Sequence, residues 1–270
     1  INFSPGLLWQ LEDYLERGGS DLALLLTRKP TGRLTSAERR ELIETFFDAH
    51  WHHQIYPHPR YRKLLDQRVR GGRFSVQDLT DLKMWFTLAW FAHEFRSGVV
   101  TLPDGSTASV RRFVEKGEGF TQDDIEAMLA EQEKVLRNIV LLHRQLQDQG
   151  QIEVSMTPYF HPILPLLMDT DRATLDRAGT AYPARFAYPE DAEAHVAGMV
   201  TFYRERFGRE LRGMWPAEGA VAEAIVPILV RHGVQWIATD EGVLARSGYY
   251  GYRVEDPNVL CQPYRVLPPT

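Results

Sequence analysis

The chain has 270 residues, 44% of them hydrophobic and 25% charged, with a net charge of −5. That is the composition of an ordinary globular protein. It carries no excess of positive charge that would point to nucleic acid, and no stretch approaches the ~18 apolar residues a membrane-spanning helix needs. One cysteine, Cys261, leaves no partner for a disulfide within the chain and favours a cytoplasmic location. The opening INFSPGLLWQ lacks the basic flank and long apolar run of a signal peptide. It has no initiator methionine, and both it and the closing YRVLPPT read as cuts in a longer sequence. The length suits one large domain, residues 1–270, or a barrel with a sizeable insertion.

The first half, residues 7–149, reads as mostly helical. Leu7, Leu8, Leu11 and Leu15 recur at helical spacing until Gly18-Gly19 stops them. Thr35 with Glu38 forms a capping box for a helix over 35–52, whose apolar face holds Leu42, Ile43, Phe46 and Phe47. A similar pattern over 75–91 carries Leu79, Leu82, Trp85 and Phe86. Residues 96–119 read as a loop with room for one short helix. One long amphipathic helix is expected over 121–149, capped by Thr121 and closed by Gly150.

The rhythm then changes. Ile152, Val154 and Met156 alternate as a strand does. A helix over 189–207 ends at Gly208, and a short strand follows over 211–215. A helix over 220–232 ends at Gly233, and 234–239 is a strong strand. Helices alternating with strands imply parallel pairing through crossovers, hence an α/β fold, either a barrel or a doubly wound sheet.

In such folds chemistry gathers at the carboxyl ends of the strands. Three unusual loops fall there. The first, GQIEVSMTPYFHPILPLL, presents His161 among Pro158, Pro162 and Pro165, which stiffen the backbone and oppose regular helix. A packed loop histidine and a binding-site histidine are both open readings. The second, RGMWPAEGAV, puts Glu218 just before an expected helix, whose amino end favours an ionised carboxylate. Trp215 beside it could offer an apolar face to a sugar ring. A plain helix-start glutamate is the simpler reading. The third, WIATDEGVLARS, ends its strand at Asp240, a turn residue, an N-cap or half of an acid/base pair. His50, His52, His53 and His58 invite a metal, but no cysteine and no HExxH pattern joins them. No metal site and no cofactor are expected.

Taken together, PYFHPILPLL, MWPAEGAV and HGVQWIATDEGVL resemble consecutive motifs of glycoside hydrolase family 57, and most of all its bacterial α-amylase/α-mannosidase-like subgroup. The resemblance implies an incomplete (β/α)7 barrel of the glycoside hydrolase/deacetylase type with a helical insertion. It implies retaining cleavage or transfer of α-glycosidic bonds in an α-glucan, with Glu218 as nucleophile. His161, Trp215 and Asp240 would line the sugar site, with Tyr159 and Glu241 from the same loops. The family's acid/base aspartate belongs to a later motif, expected beyond Thr270. The family's opening His-Gln-Pro strand is expected before Ile1. Other readings are a non-catalytic carbohydrate-binding remnant and a metal-dependent polysaccharide deacetylase. The deacetylase needs an Asp and two His at strand ends, where only His161 qualifies.

Overall fold

A computed structural model describes residues 1–247 and 255–266 of the chain. The last four residues of the abrupt closing stretch lie outside them. Six short strands occur among the described residues: β1 Asn2–Phe3, β2 Val100–Thr101, β3 Thr107–Ala108, β4 Ser155–Met156, β5 Gly213–Met214 and β6 Trp236–Ile237. The chain divides into two compact units, one of residues 1–10 with 143–270, the other of residues 11–142.

The unit of residues 11–142 is built from helices and one antiparallel hairpin, β2 with β3. Side-chain caps start its main helices. Thr35, Ser75 and Thr121 each accept from the backbone N–H three residues on, and Glu38, Asp78 and Asp124 each return the bond. The core gathers Leu42, Phe46, Tyr61, Leu64, Leu82, Trp85, Phe113 and Ile125, all buried. Inside it are polar groups with partners. Asp81 is 1% exposed and takes hydrogen bonds from Arg60, Gln77 and the Phe120 N–H. Lys83, fully buried, donates to the Lys29 carbonyl at 2.6 Å. Burial takes the amine out of water and lowers its pKa to about 8.

His58 stacks on Trp85 with ring centroids 4.5 Å apart and meets Arg96 at 2.9 Å. Beside a guanidinium that stays charged, the imidazole must be the acceptor and therefore neutral. Burial, seconded by Arg96, pushes its pKa from 6.5 down to about 4. The unfolded chain thus binds a proton between these two values that the folded chain refuses. Stability should be complete above about pH 6.5 and fall as pH drops towards 4. Denaturant titrations at pH 7 and pH 5 should differ by about 1 to 2 kcal/mol through this group. The difference should shrink in His58→Phe; an unchanged difference would refute the assignment.

Several sequence expectations are corrected here. The helix expected over 121–149 is two helices, Gln122–Arg137 and Ile139–Asp148. They break at Asn138, whose side chain accepts from the Asp104 N–H and donates to the Asp104 carboxylate. The helix expected over 35–52 stops at Thr45, with a short π-helical turn at Trp51–Ile55. The stretch 96–119 holds the hairpin, turning at Asp104-Gly105 with Gly105 at φ 84°, and the short helix Arg111–Lys116. The three prolines of the His161 loop do not exclude helix. Leu164–Met168 is helical with Pro165 in its first turn, where a missing N–H costs nothing. The helix expected over 220–232 is a 3₁₀ turn at Glu223–Ile225 followed by Val226–Arg231.

In the other unit, four parallel strands pair in the order β1-β4-β5-β6. Each is two residues long; Pro5, Pro158 and Pro216 stand two residues beyond the ends of β1, β4 and β5, where a missing N–H ends the pairing. Met156 and Met214 are both fully buried and pair with each other in register. The long helix Pro189–Phe207 starts with Pro189, ends on Gly208 in the left-handed region, and buries Val196, Met199, Phe202 and Phe207. Gly213 lies against the Trp236 ring, so close that an added Cβ would overlap it at 2.0 Å. The consequence is that β5 and β6 meet face to ring at a position only glycine permits. Among the described residues no helix is long and apolar enough to cross a membrane.

Candidate functional site

The site is built by the loops that follow β4, β5 and β6, three neighbours in the parallel sheet. After β4, Thr157-Pro158 leads into a turn closed by the His161 N–H donating to the Pro158 carbonyl at 2.7 Å. After β5, Trp215-Pro216 leads into the 3₁₀ turn Ala217–Gly219, closed by the Gly219 N–H on the Pro216 carbonyl. After β6, Thr239 donates to the Gly219 carbonyl at 2.6 Å and ties the third loop to the second.

Among the described residues, two that are not glycine have positive φ: His161 at 61° and Glu218 at 55°. A side chain in the left-handed region costs on the order of 1–2 kcal/mol, and such costs persist where a structure holds a residue for use. These two residues face each other. His161 Nδ1 stands 3.9 Å from Glu218 Oε1. The separation exceeds a hydrogen bond, so each polar atom keeps capacity for a third group. Trp215 completes the cluster, its ring centroid 5.7 Å from that of His161. The carboxylate is well exposed, at 71% of its side chain, and can be reached by a ligand.

Glu218 does not stand at a helix start, as the sequence suggested. It lies in the turn at Ala217–Gly219, and the helix Val226–Arg231 begins further on. Pro216 and Gly219 shape that turn, so its orientation comes from backbone geometry and not from a helix dipole.

Glu218 and Asp240 line one cleft of about 650 Å³, together with Gly219, Ala220 and Val221. Asp240 accepts from the Val243 N–H at 3.1 Å and caps the helix Glu241–Arg246. His161 and Trp215 adjoin the cleft through Glu218 and are not part of its lining. Tyr159 is turned elsewhere: its ring packs on Phe202 and against Gly198 of the helix Pro189–Phe207. Its carbonyl accepts from the Gly6 N–H, which braces the loop. Glu241, in the first turn of its helix, is exposed and does not line the cleft.

Another part of the cleft lining went unread in the sequence. Residues 169–188 form a loop closed on itself. Thr170 and Phe186 exchange two hydrogen bonds, Arg185 grips Asp169 with two, and the Tyr188 N–H meets the Leu167 carbonyl. Arg172, Leu175, Arg177 and Tyr182 of this loop line the cleft. The loop has neither helical nor strand periodicity, so no pattern could have singled it out. Among the described residues no group of three or more His, Cys, Asp or Glu side chains is placed to hold a metal ion.

No curated protein matches the sequence. Among solved structures, it is similar to a family 57 branching enzyme of the hyperthermophilic archaeon Thermococcus kodakaraensis, at 17% identity over 88% of this chain and 29% of that one, with a TM-score of 0.35. It is also similar to the α-amylase AmyC of Thermotoga maritima, at 14% identity over 86% of this chain and 35% of that one, with a TM-score of 0.32. A branching enzyme of Pyrococcus horikoshii gives 17% identity, 86% and 34% coverage, and a TM-score of 0.31. The chain spans about a third of the length of these structures. The model of glycosyl hydrolase family 57 matches residues 33–269, and the chain therefore belongs to that family.

Proposed function

We propose that this chain is part of a retaining glycoside hydrolase or glucanotransferase acting on α-glucans, with Glu218 as the nucleophile. The observation that carries the reading is the facing pair of left-handed residues, His161 and Glu218, 3.9 Å apart at the ends of adjacent strands and beside Trp215. In retaining chemistry a carboxylate attacks the anomeric carbon and a second carboxyl protonates the departing oxygen. Glu218 is exposed enough to attack. His161 offers a nitrogen to a sugar hydroxyl or to the carboxylate itself, and Trp215 offers a ring face to the sugar. Asp240 is assigned to substrate binding because one of its oxygens is already engaged as a helix cap. The acid/base role is assigned to another carboxyl group. The four parallel strands with strand-end loops support an incomplete (β/α)7 barrel as the architecture.

Maltoheptaose should quench the tryptophan fluorescence of the chain on binding, while β-linked cello-oligosaccharides of equal length should not. Trp215→Ala should weaken maltoheptaose binding about tenfold, the value of roughly 1.4 kcal/mol for one lost aromatic contact. Equal response to both sugars, or an unaffected Trp215→Ala variant, would sink the reading.

A further inference from the structure

Cationic side chains line part of the cleft wall. Arg172, Arg177 and Arg246 line the cleft, against the two carboxylates Glu218 and Asp240. Arg246 is engaged, its Nε donating to the Gly242 carbonyl at 3.1 Å. Arg172 and Arg177 are different: among the described residues neither forms an ion pair within 4.0 Å. Asp169 feels the charge of Arg172 but is held by two hydrogen bonds to Arg185. The Nε of Arg172 is buried and has no hydrogen-bond partner. A buried donor without a partner is unfavourable, and the closed 169–188 loop holds it in place. Tyr182 shares its hydroxyl proton between the Ala173 and Arg177 carbonyls and so fixes the backbone that carries Arg177.

A neutral glucan presents only hydroxyl groups to such a wall. Two guanidinium groups outside any close ion pair among the described residues match anionic oxygens far better, since a planar fork binds carboxylate or phosphate through paired bonds. We propose that the cleft selects α-glucans bearing an anionic substituent, a phosphate ester or a uronic carboxylate, held by Arg172 and Arg177. The proposal rests on the α-glucan reading of the same cleft and adds the substrate class to it.

The test is calorimetric titration of the chain with three ligands: maltoheptaose, its 6-phosphate ester, and a maltoheptaose ending in glucuronate. A hydrogen bond to a charged group exceeds a neutral one by about 1 kcal/mol or more, so at least one anionic ligand should bind roughly tenfold tighter than maltoheptaose. The advantage should shrink as salt is raised and fall towards one in Arg172→Gln/Arg177→Gln, with circular dichroism confirming that this variant folds. A gain for only the phosphate or only the uronate supports the proposal and names the substituent. If maltoheptaose binds and neither anionic ligand binds better, the proposal is overturned while the α-glucan reading stands. A tenfold advantage that survives in the double variant also overturns it. If none of the three binds, the α-glucan reading itself fails and takes the proposal with it.

Discussion

Glu218→Gln is expected to abolish covalent capture of a sugar while leaving glucan binding within about threefold of the unchanged chain. Glutamine keeps the size of the side chain and one acceptor oxygen, and it should keep the left-handed turn between Pro216 and Gly219. It cannot supply the anionic oxygen that bonds to the anomeric carbon. Loss of a nucleophile removes a step worth on the order of 10⁴-fold or more in rate. The measurement can be made free of any assumption about the acid/base. Fluoride leaves a glycosyl fluoride without needing a proton donor of ordinary strength. A deactivated α-glucosyl fluoride incubated with the chain should therefore leave a glycosyl adduct, located on Glu218 by peptide mass spectrometry. Glu218→Gln should show none. An adduct on Asp240, or capture that survives in Glu218→Gln, would remove Glu218 from the mechanism. His161→Ala should slow capture without moving it, because His161 stands 3.9 Å from the carboxylate and does not replace it.

The helix starts were legible because capping is local, although only the Thr35–Glu38 pair was read as a reciprocal box. Thr35, Ser75 and Thr121 sit three residues ahead of their carboxylates, and all three boxes form. The break at Asn138 was not legible, because the apolar pattern runs through it unbroken. What ends that helix is Asp104, 34 residues away in sequence. Of the six strands, β4, β5 and β6 were found and read too long, whereas β1, β2 and β3 were not found, being two residues each with no alternation to show them. For the candidate site, the strand-end loops could be read from their prolines and glycines. The left-handed turns at His161 and Glu218 could not, because histidine and glutamate are not residues that announce positive φ. Their nearest signals are Pro158 and Gly219, which bound the turns. Arg172, Arg177 and Tyr182 were beyond reach: a loop held by Arg185 on Asp169 carries no periodicity for a pattern to catch.

The largest effect on stability should come from Asp81. It is 1% exposed, in the helix Val76–Leu88, and its two oxygens serve three donors. Oδ2 accepts from Arg60 Nε at 2.8 Å; Oδ1 accepts from Gln77 at 2.8 Å and from the Phe120 N–H at 3.0 Å. Arg60 is itself only 11% exposed and also grips Asp78 at 2.8 Å. The carboxylate thus joins the helix Pro59–Val69 to its neighbour and fixes the residue just before the Thr121 cap. Asp81→Ala would leave a half-compensated guanidinium and an unpaired amide in the core, at a cost of about 3–5 kcal/mol. The attraction of the pair for each other is a smaller quantity, because both charges lost their water on folding. Arg60→Met/Asp81→Leu should therefore cost less than the sum of the single substitutions, by about 1–3 kcal/mol. Guanidinium denaturation of the unchanged chain, Asp81→Ala, Arg60→Met, Asp81→Leu and the double variant measures both numbers. If Asp81→Ala loses less than about 1 kcal/mol, the contact behaves as a surface ion pair, and water reaches Asp81 in solution. If the double variant costs the full sum, the two charges do not depend on each other, and the packing of Phe120, not the ion pair, holds this part of the core.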